Sequence, residues 1–370
     1  MTTKGRHITS TLAADGTLTV ALAERTLPAP TGAQVLVRVE ATPINPSDLG
    51  GMFAAANLEN ARFAPGLIEA QMPEAAVRAM AARIGQPVAV GIECAGTVIA
   101  AGEAAPAQAL LGRMVACLPD GAYATEVLVD AGACLPLPAG TTAEQGASVY
   151  VNPMTALGFV ENMKMEGFTG LIHTAAASNL GQMLVRICAE DGIPLVNVVR
   201  SEAQVDLLRG LGAEHVINSS APDFMPRLIQ AIEATRAMLA FDAIGGGTMA
   251  SRLLTAMEAV AGRDAAYSRY GTAARKKVFI YGALDMAPTV LNRSFGFVWD
   301  VSGWLLMPFL MQAGHETVAR MRGRVLSSLT TTFASHYKRR VTLDSMLERD
   351  AVLAYNARAT GEKYLVLPNG

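Results

Sequence analysis

From about residue 150 to residue 281, strand-like and helix-like segments alternate without a break, and this pattern constrains the fold more than any other feature. Leu171–Ala175 reads as a strand, Leu180–Glu190 as a helix, Leu195–Val199 as a strand and Glu202–Leu211 as a helix. The series continues with His215–Ile217, Phe224–Ala234, Ala240–Ile244, Met249–Val260 and Lys277–Tyr281. Strands separated by helices of about 10–15 residues predict right-handed crossovers and a doubly wound parallel sheet.

The first half has a different rhythm. Val35–Glu40, Val88–Glu93, Gly96–Ala100, Met114–Leu118 and Tyr123–Val129 are short β-like runs, punctuated by Gly102, Gly112 and Gly121. Such spacing predicts a small barrel-like β-rich domain. Residues 53–84, rich in Ala, Met and Glu, read as an inserted helical loop over the mouth of a site. The tail from about residue 340 returns to mixed character and ends on the strand-like Tyr364–Leu367. We therefore expect a Rossmann-type domain over 151–319, inserted into a β-rich catalytic domain made of 1–150 and 320–370.

Composition narrows the possible functions. The net charge of −2, from 30 Lys+Arg and 32 Asp+Glu, argues against nucleic-acid binding through bulk charge. Four cysteines without CxxC spacing fit a reducing, cytoplasmic compartment, and the N-terminus lacks the apolar core of a signal peptide. The apolar run Val301–Met311 contains Gly303 and Pro308 and is far shorter than the ~20 residues of a membrane span.

The turn after the first strand of the alternating half carries the chemistry. Ala176, Ser178 and Gly181 stand at the three small-residue positions of G-x-G-x-x-G, where a backbone approaches a pyrophosphate at a helix N-terminus. Ala177, Ser178, Asn179 and Leu180 are the candidate contacts. The second strand ends in Arg200 and Ser201 where NAD-preferring sites carry an acid. Arginine pairs with a 2′-phosphate that an acid would repel, so Arg200 points to NADP(H).

Further marks carry a resemblance. They are Ile44-Asn-Pro-Ser-Asp48, Gly112-Arg-Met-Val, Gly121-Ala-Tyr-Ala, Asn152-Pro-Met-Thr-Ala, Leu211-Gly-Ala-Glu-His-Val, Phe241-Asp-Ala-Ile-Gly-Gly, Tyr281-Gly and Asn356-Ala-Arg-Ala-Thr-Gly361. In this order they resemble the zinc-independent branch of the medium-chain dehydrogenase/reductase family over nearly the full chain. Its fold would be a Rossmann sheet inserted into a GroES-like, barrel-like domain. The N-P-S-D start and the closing A-R-A-T-G resemble quinone oxidoreductases. Ser178–Gln182, Asn197–Arg200 and Ser302–Leu305 are similar to trans-2-enoyl thioester reductases, whose active-site tyrosine falls near Ala56 here.

The resemblance implies that Asn45 faces the nicotinamide ribose and that Thr155 lies near the ring. It also implies cofactor contacts at Ile244, Gly245, Tyr281, Gly282, Asn356 and Arg358. The catalytic-zinc ligands of zinc-dependent relatives align with Asn45, Ile92 and Val151; Glu93 remains from G-H-E, and Ile and Val offer no donor atom. The leading expectation is metal-independent hydride transfer from NADPH to a quinone or an α,β-unsaturated carbonyl. The alternatives are reduction of a trans-2-enoyl thioester and an NADPH-binding protein without turnover. No proton donor stands out: Tyr123, Tyr281 and His173 read as packing residues, and Cys94 and Cys117 as small buried hydrophobes. A homodimer is expected by analogy.

Overall fold

In the computed structural model, residues 2–263, 265–361 and 363–370 are described. The chain divides into two compact units, one of residues 1–151 with 326–370 and the other of residues 152–325.

The second unit is built on a six-stranded parallel sheet. From one edge to the other its strands are His215–Asn218, Leu195–Val199, Leu171–Thr174, Leu239–Asp242, Lys276–Ile280 and Trp299–Gly303. Taken in chain order this is 3-2-1-4-5-6, the doubly wound Rossmann arrangement, with its switch point between Leu171–Thr174 and Leu239–Asp242. The inner strands are apolar without alternation because helices cover both faces. Val196, Val198, Ile172 and Ala240 pack with Leu228 and Ile232 of helix Phe224–Thr235 and with Leu253 and Met257 of helix Met249–Ala261. The sixth strand was not among those expected, and neither was Asp285–Thr289, which pairs with Gly245–Gly247.

The first unit is β-rich. Strand Gln34–Pro43 is its spine, pairing with Cys94–Ala101, Glu126–Asp130 and, near the C-terminus, Tyr364–Val366. Met114–Cys117 and Cys134–Pro136 extend the sheet beyond Cys94–Ala101. Alternating valines Val35, Val37 and Val39 bury one face of the spine against Val98, Val115 and Val127. A second sheet is formed by Thr3–Leu12 and Thr17–Leu27, a long hairpin that was also not expected.

That hairpin corrects the reading of residues 53–84. The stretch is not a helical loop: Arg62–Ala64 and Leu67–Gln71 form a hairpin, and Leu67–Gln71 pairs with Thr17–Ala21. Only Glu74–Ala79, followed by a turn of 3₁₀ helix at Ala81–Arg83, is helical there. The cause is burial on alternate residues, with Ile68 and Ala70 turned into the core beside Leu18 and Val20. In the same unit the expected strand at Val88–Glu93 shrinks to Val88–Ala89, and Tyr123 lies before strand Glu126–Asp130 rather than inside it. Among the described residues no helix is long and apolar enough to cross a membrane.

Candidate functional site

In the second unit four loops follow the C-terminal ends of neighbouring parallel strands, the side on which open α/β sheets bind ligands. The first leaves Thr174. Ala175 adopts a left-handed conformation at φ 51°, an uncommon state for a residue with a Cβ. Ser178 then caps helix Asn179–Asp191, its hydroxyl accepting from Gly181 N at 3.1 Å. A Cβ on Gly181 would fall 2.1 Å from Ala176 O, so the helix start and the turn approach as only glycine allows. Ala177, Ser178, Asn179 and Leu180 thus sit at a capped helix N-terminus, where backbone N–H groups and the helix dipole favour an anion. No residue preference announces the Ala175 conformation, because alanine favours no turn.

The second loop holds Arg200 and Ser201. Ser201 caps helix Glu202–Gly210, accepting from Gln204 N. Arg200 is exposed; its backbone is tied by its N–H to Gln204 Oε1 and by its carbonyl to the Ser220 hydroxyl. Its guanidinium makes no hydrogen bond or ion pair among the described residues, while the neighbouring Glu202 carboxylate accepts from Asn218 Nδ2 at 2.8 Å.

The third and fourth loops are organised by Asp242, a fully buried carboxylate. It accepts from Thr174 Oγ1 at 2.6 Å, from Ile244 N at 3.1 Å and from Gly245 N at 3.1 Å. The Thr174 hydroxyl in turn accepts from Ala243 N at 2.8 Å. Gly245 and Gly282 let the two loops touch: a Cβ on Gly245 would meet Gly282 O at 2.7 Å, and one on Gly282 would meet Ala243 O at 2.6 Å. Asp242 lay within the expected Phe241-Asp-Ala-Ile mark, but its part in holding the loop had no signature of its own.

Tyr281 packs against Phe159, and its hydroxyl meets His173 Nε2 at 2.7 Å. Burial pushes the His173 pKa down to about 3, so the ring is neutral, and burial raises the tyrosine well above its usual range. Tyr281 also lines an open apolar cleft of about 520 Å³ with Ile280, Gly282, Trp304, Leu305 and Pro308. Thr155 is buried in helix Val151–Met165.

In the first unit Asn45 is 1 % exposed and precedes helix Pro46–Phe53, where Asp48 Oδ2 accepts from its backbone N–H at 2.7 Å. Its side-chain Nδ2 donates to Glu93 Oε1 at 2.8 Å. Glu93 Oε2 accepts from the backbone N–H groups of Tyr150 and Val151, at 2.9 and 3.0 Å. Burial raises Asp48 to about 7 and raises Glu93 as well; the charge of Lys363 opposes the second shift. Burial pulls Lys363 down to about 8, and its ammonium donates to Ser148 Oγ, which is also bonded to the Tyr337 hydroxyl. Tyr123 is fully buried and donates to Pro43 O. Sequence reading had not drawn in Lys363, Ser148 or Tyr337, which are far apart in the chain. Asn356 is half-buried at the end of helix Arg349–Asn356, and Arg358 is exposed just beyond it. Among the described residues no group of three or more His, Cys, Asp or Glu side chains is placed to hold a metal ion.

The chain is similar to known proteins. Residues 31–139 match the alcohol dehydrogenase GroES-like domain. Human mitochondrial enoyl-[acyl-carrier-protein] reductase is 30% identical over 192 residues, covering 50% of this chain and 45% of that protein. The chain thus spans about half the length of that relative. A Mesorhizobium loti protein described as an NADPH:quinone reductase superposes with a TM-score of 0.75 at 24% identity, covering 99% of this chain and 98% of that one. The Etr1p structure in complex with NADP and crotonyl-CoA gives 0.67 at 17% identity, with 99% and 100% coverage. The chain therefore carries an alcohol dehydrogenase GroES-like domain at residues 31–139 and, over nearly its whole length, the fold of the Mesorhizobium loti and Etr1p structures.

Proposed function

We propose that the protein is an NADPH-dependent oxidoreductase that reduces a quinone or an α,β-unsaturated carbonyl compound without a metal. The observation that carries this reading is the exposed, unpaired Arg200 beside a capped phosphate turn. The residues fit the cofactor: Gly181 admits a backbone approach that a Cβ would block, and the capped start of helix Asn179–Asp191 offers backbone N–H groups to an anion. Ala177, Ser178, Asn179 and Leu180 would hold the pyrophosphate, and Arg200 with Ser201 the 2′-phosphate. Ile244, Gly245, Tyr281 and Gly282 would contact the nicotinamide half, and Thr155, Asn356 and Arg358 take the contacts that the family resemblance implies.

NADPH, when bound, supplies a hydride. The chain's own part is to orient and to exclude water. Asp242 fixes the Ile244–Gly245 loop, and the His173–Tyr281 contact fixes the ring wall of the apolar cleft. That cleft suits a planar apolar electrophile. The family resemblance puts Asn45, Ile92 and Val151 at the catalytic-zinc positions, and the Ile92 and Val151 side chains lack any donor atom. Support also comes from the description of the Mesorhizobium loti protein as an NADPH:quinone reductase.

A second reading, reduction of a trans-2-enoyl thioester, is favoured by two relatives: the human enzyme's name and the crotonyl-CoA bound to Etr1p. We infer a homodimer as well, supported by the edge strand Trp299–Gly303 and by exposed Met286, Phe297, Leu305 and Met311 in the same unit. Location in the cytoplasm rests on the scattered free thiols. NADPH oxidation measured with quinones, enals, enones and crotonyl thioesters tests the activity. Turnover of quinones or enones supports the leading reading, turnover of thioesters alone selects the second, and tight NADPH binding without turnover of any acceptor returns the protein to a binding role.

A further inference from the structure

Beside His215–Asn218, the edge strand of the parallel sheet in the second unit, runs a groove of about 240 Å³ that the proposed reduction does not use. One wall is a face of helix Phe224–Thr235, where Arg227, Gln230 and Ala234 follow one another at steps of three and four residues. Arg209, from the last turn of helix Glu202–Gly210, lines it as well, together with Glu214 and His215. The space is smaller than the roughly 300–1,000 Å³ of sites for drug-sized ligands, so it suits a small molecule.

Two cations face this space without a counter-charge. Neither the Arg209 nor the Arg227 guanidinium makes a hydrogen bond or ion pair among the described residues. Glu214, the acid among the lining residues, is 87% exposed and approaches His215 at 3.9 Å. Helix dipoles account for one arginine and not for the other. Arg209 stands in the last turn of its helix, where the dipole favours a cation. Arg227 is half-buried in the first turn of its own, where the dipole opposes one, and Asp223 at the N-cap forms no ion pair with it. The fold alone gains nothing from that placement, whereas a bound anion would turn it to advantage.

We propose that the groove binds a small polyanion, bearing phosphate or carboxylate oxygens, held by the guanidinium groups of Arg209 and Arg227. A guanidinium donates through a planar fork that matches either group. The Gln230 amide and the His215 ring add polar contacts from the same lining. The site is separate from the turn of Arg200: that turn follows the C-terminal end of strand Leu195–Val199, and the groove lies along the edge of the sheet. It does not depend on which acceptor the protein reduces, or on reduction at all.

Isothermal titration with inorganic phosphate and with citrate, at constant ionic strength, tests this. The proteins are the wild type, Arg209→Ala, Arg227→Ala, the double variant and Arg200→Ala, with thermal melting of each to report the fold. Each single groove variant should bind the preferred anion about 5–20-fold more weakly, the loss of one charge-assisted contact. The double variant should lose the site, and R200A should keep it. Tighter binding of phosphate or of citrate identifies which group the groove takes. Absence of binding of both anions by the wild type, or equal affinity in the wild type and the folded double variant, overturns the proposal. Binding lost in R200A and kept in the groove variants assigns the anion to the other turn and overturns it too.

Discussion

Thr174 donates its hydroxyl proton to Asp242 across 2.6 Å, joining the ends of the two strands that flank the switch point of the parallel sheet. The same carboxylate holds the N–H groups of Ile244 and Gly245, so one buried residue shapes the loop after its strand and ties it to the phosphate turn. Asp242→Asn keeps the volume and replaces one accepting oxygen by an NH₂ that faces a backbone N–H. The loss of one buried acceptor predicts a fall in stability of about 1–3 kcal/mol. Thermal melting should show it, and NADPH titration should show a parallel loss of affinity.

Gly181→Ala separates packing from charge. The added Cβ would lie 2.1 Å from Ala176 O, and backbone must move to admit it. We expect destabilisation of about 1–3 kcal/mol, typical of overpacking, and at least a tenfold loss of NADPH affinity in calorimetric titration. An unchanged affinity would show that this turn does not approach the phosphates.

Asp48 gives a pH signature of stability. Its folded pKa, pushed up to about 7 by burial, lies above its unfolded value of about 3.9. Between these values the native state binds more protons than the unfolded state, so this group makes stability fall as pH rises. Asp48→Asn removes that slope while its amide oxygen can still accept from Asn45 N. The gain in melting temperature of D48N over wild type should therefore be larger at pH 7.5 than at pH 5. Equal gains at both values would contradict the burial of an ionisable Asp48.

Chelation is expected to do nothing. Ile92 and Val151 offer a metal no donor, so overnight dialysis against EDTA should leave NADPH binding and any reductase activity unchanged. Activity that falls on dialysis and returns with zinc would refute the metal-free reading.

The second unit was largely legible in the sequence because its strands are apolar throughout and its helices amphipathic, as in helix Phe224–Thr235 with Leu228 and Ile232 inward. The Thr3–Leu12 hairpin was not, since its inward row is Ile8, Ser10 and Leu12, and a core serine breaks the apolar alternation. Ser10 belongs there because its hydroxyl donates to Met52 O at 2.7 Å, a partner no local pattern reveals. Strand Leu67–Gln71 is hidden for a related reason: it exists through pairing with Thr17–Ala21, a tertiary contact. In the site, turn glycines and strand ends could be read directly. The Glu93–Asn45 bond joins residues 48 positions apart, and Ala175 carries its strain without a sequence signal.

Recognition of the 2′-phosphate by Arg200 is open to a titration with both cofactors. Fluorescence titration of the wild-type protein and of Arg200→Ala with NADPH and NADH should show tighter NADPH binding by the wild type. Loss of one charge-assisted contact of about 1.5–3 kcal/mol predicts a drop of roughly 10–150-fold for NADPH in the variant. NADH affinity should be nearly unchanged, and stability should stay within about 0.5 kcal/mol because Arg200 is exposed. A wild-type preference for NADH, or equal loss of both cofactors in R200A, would contradict the account.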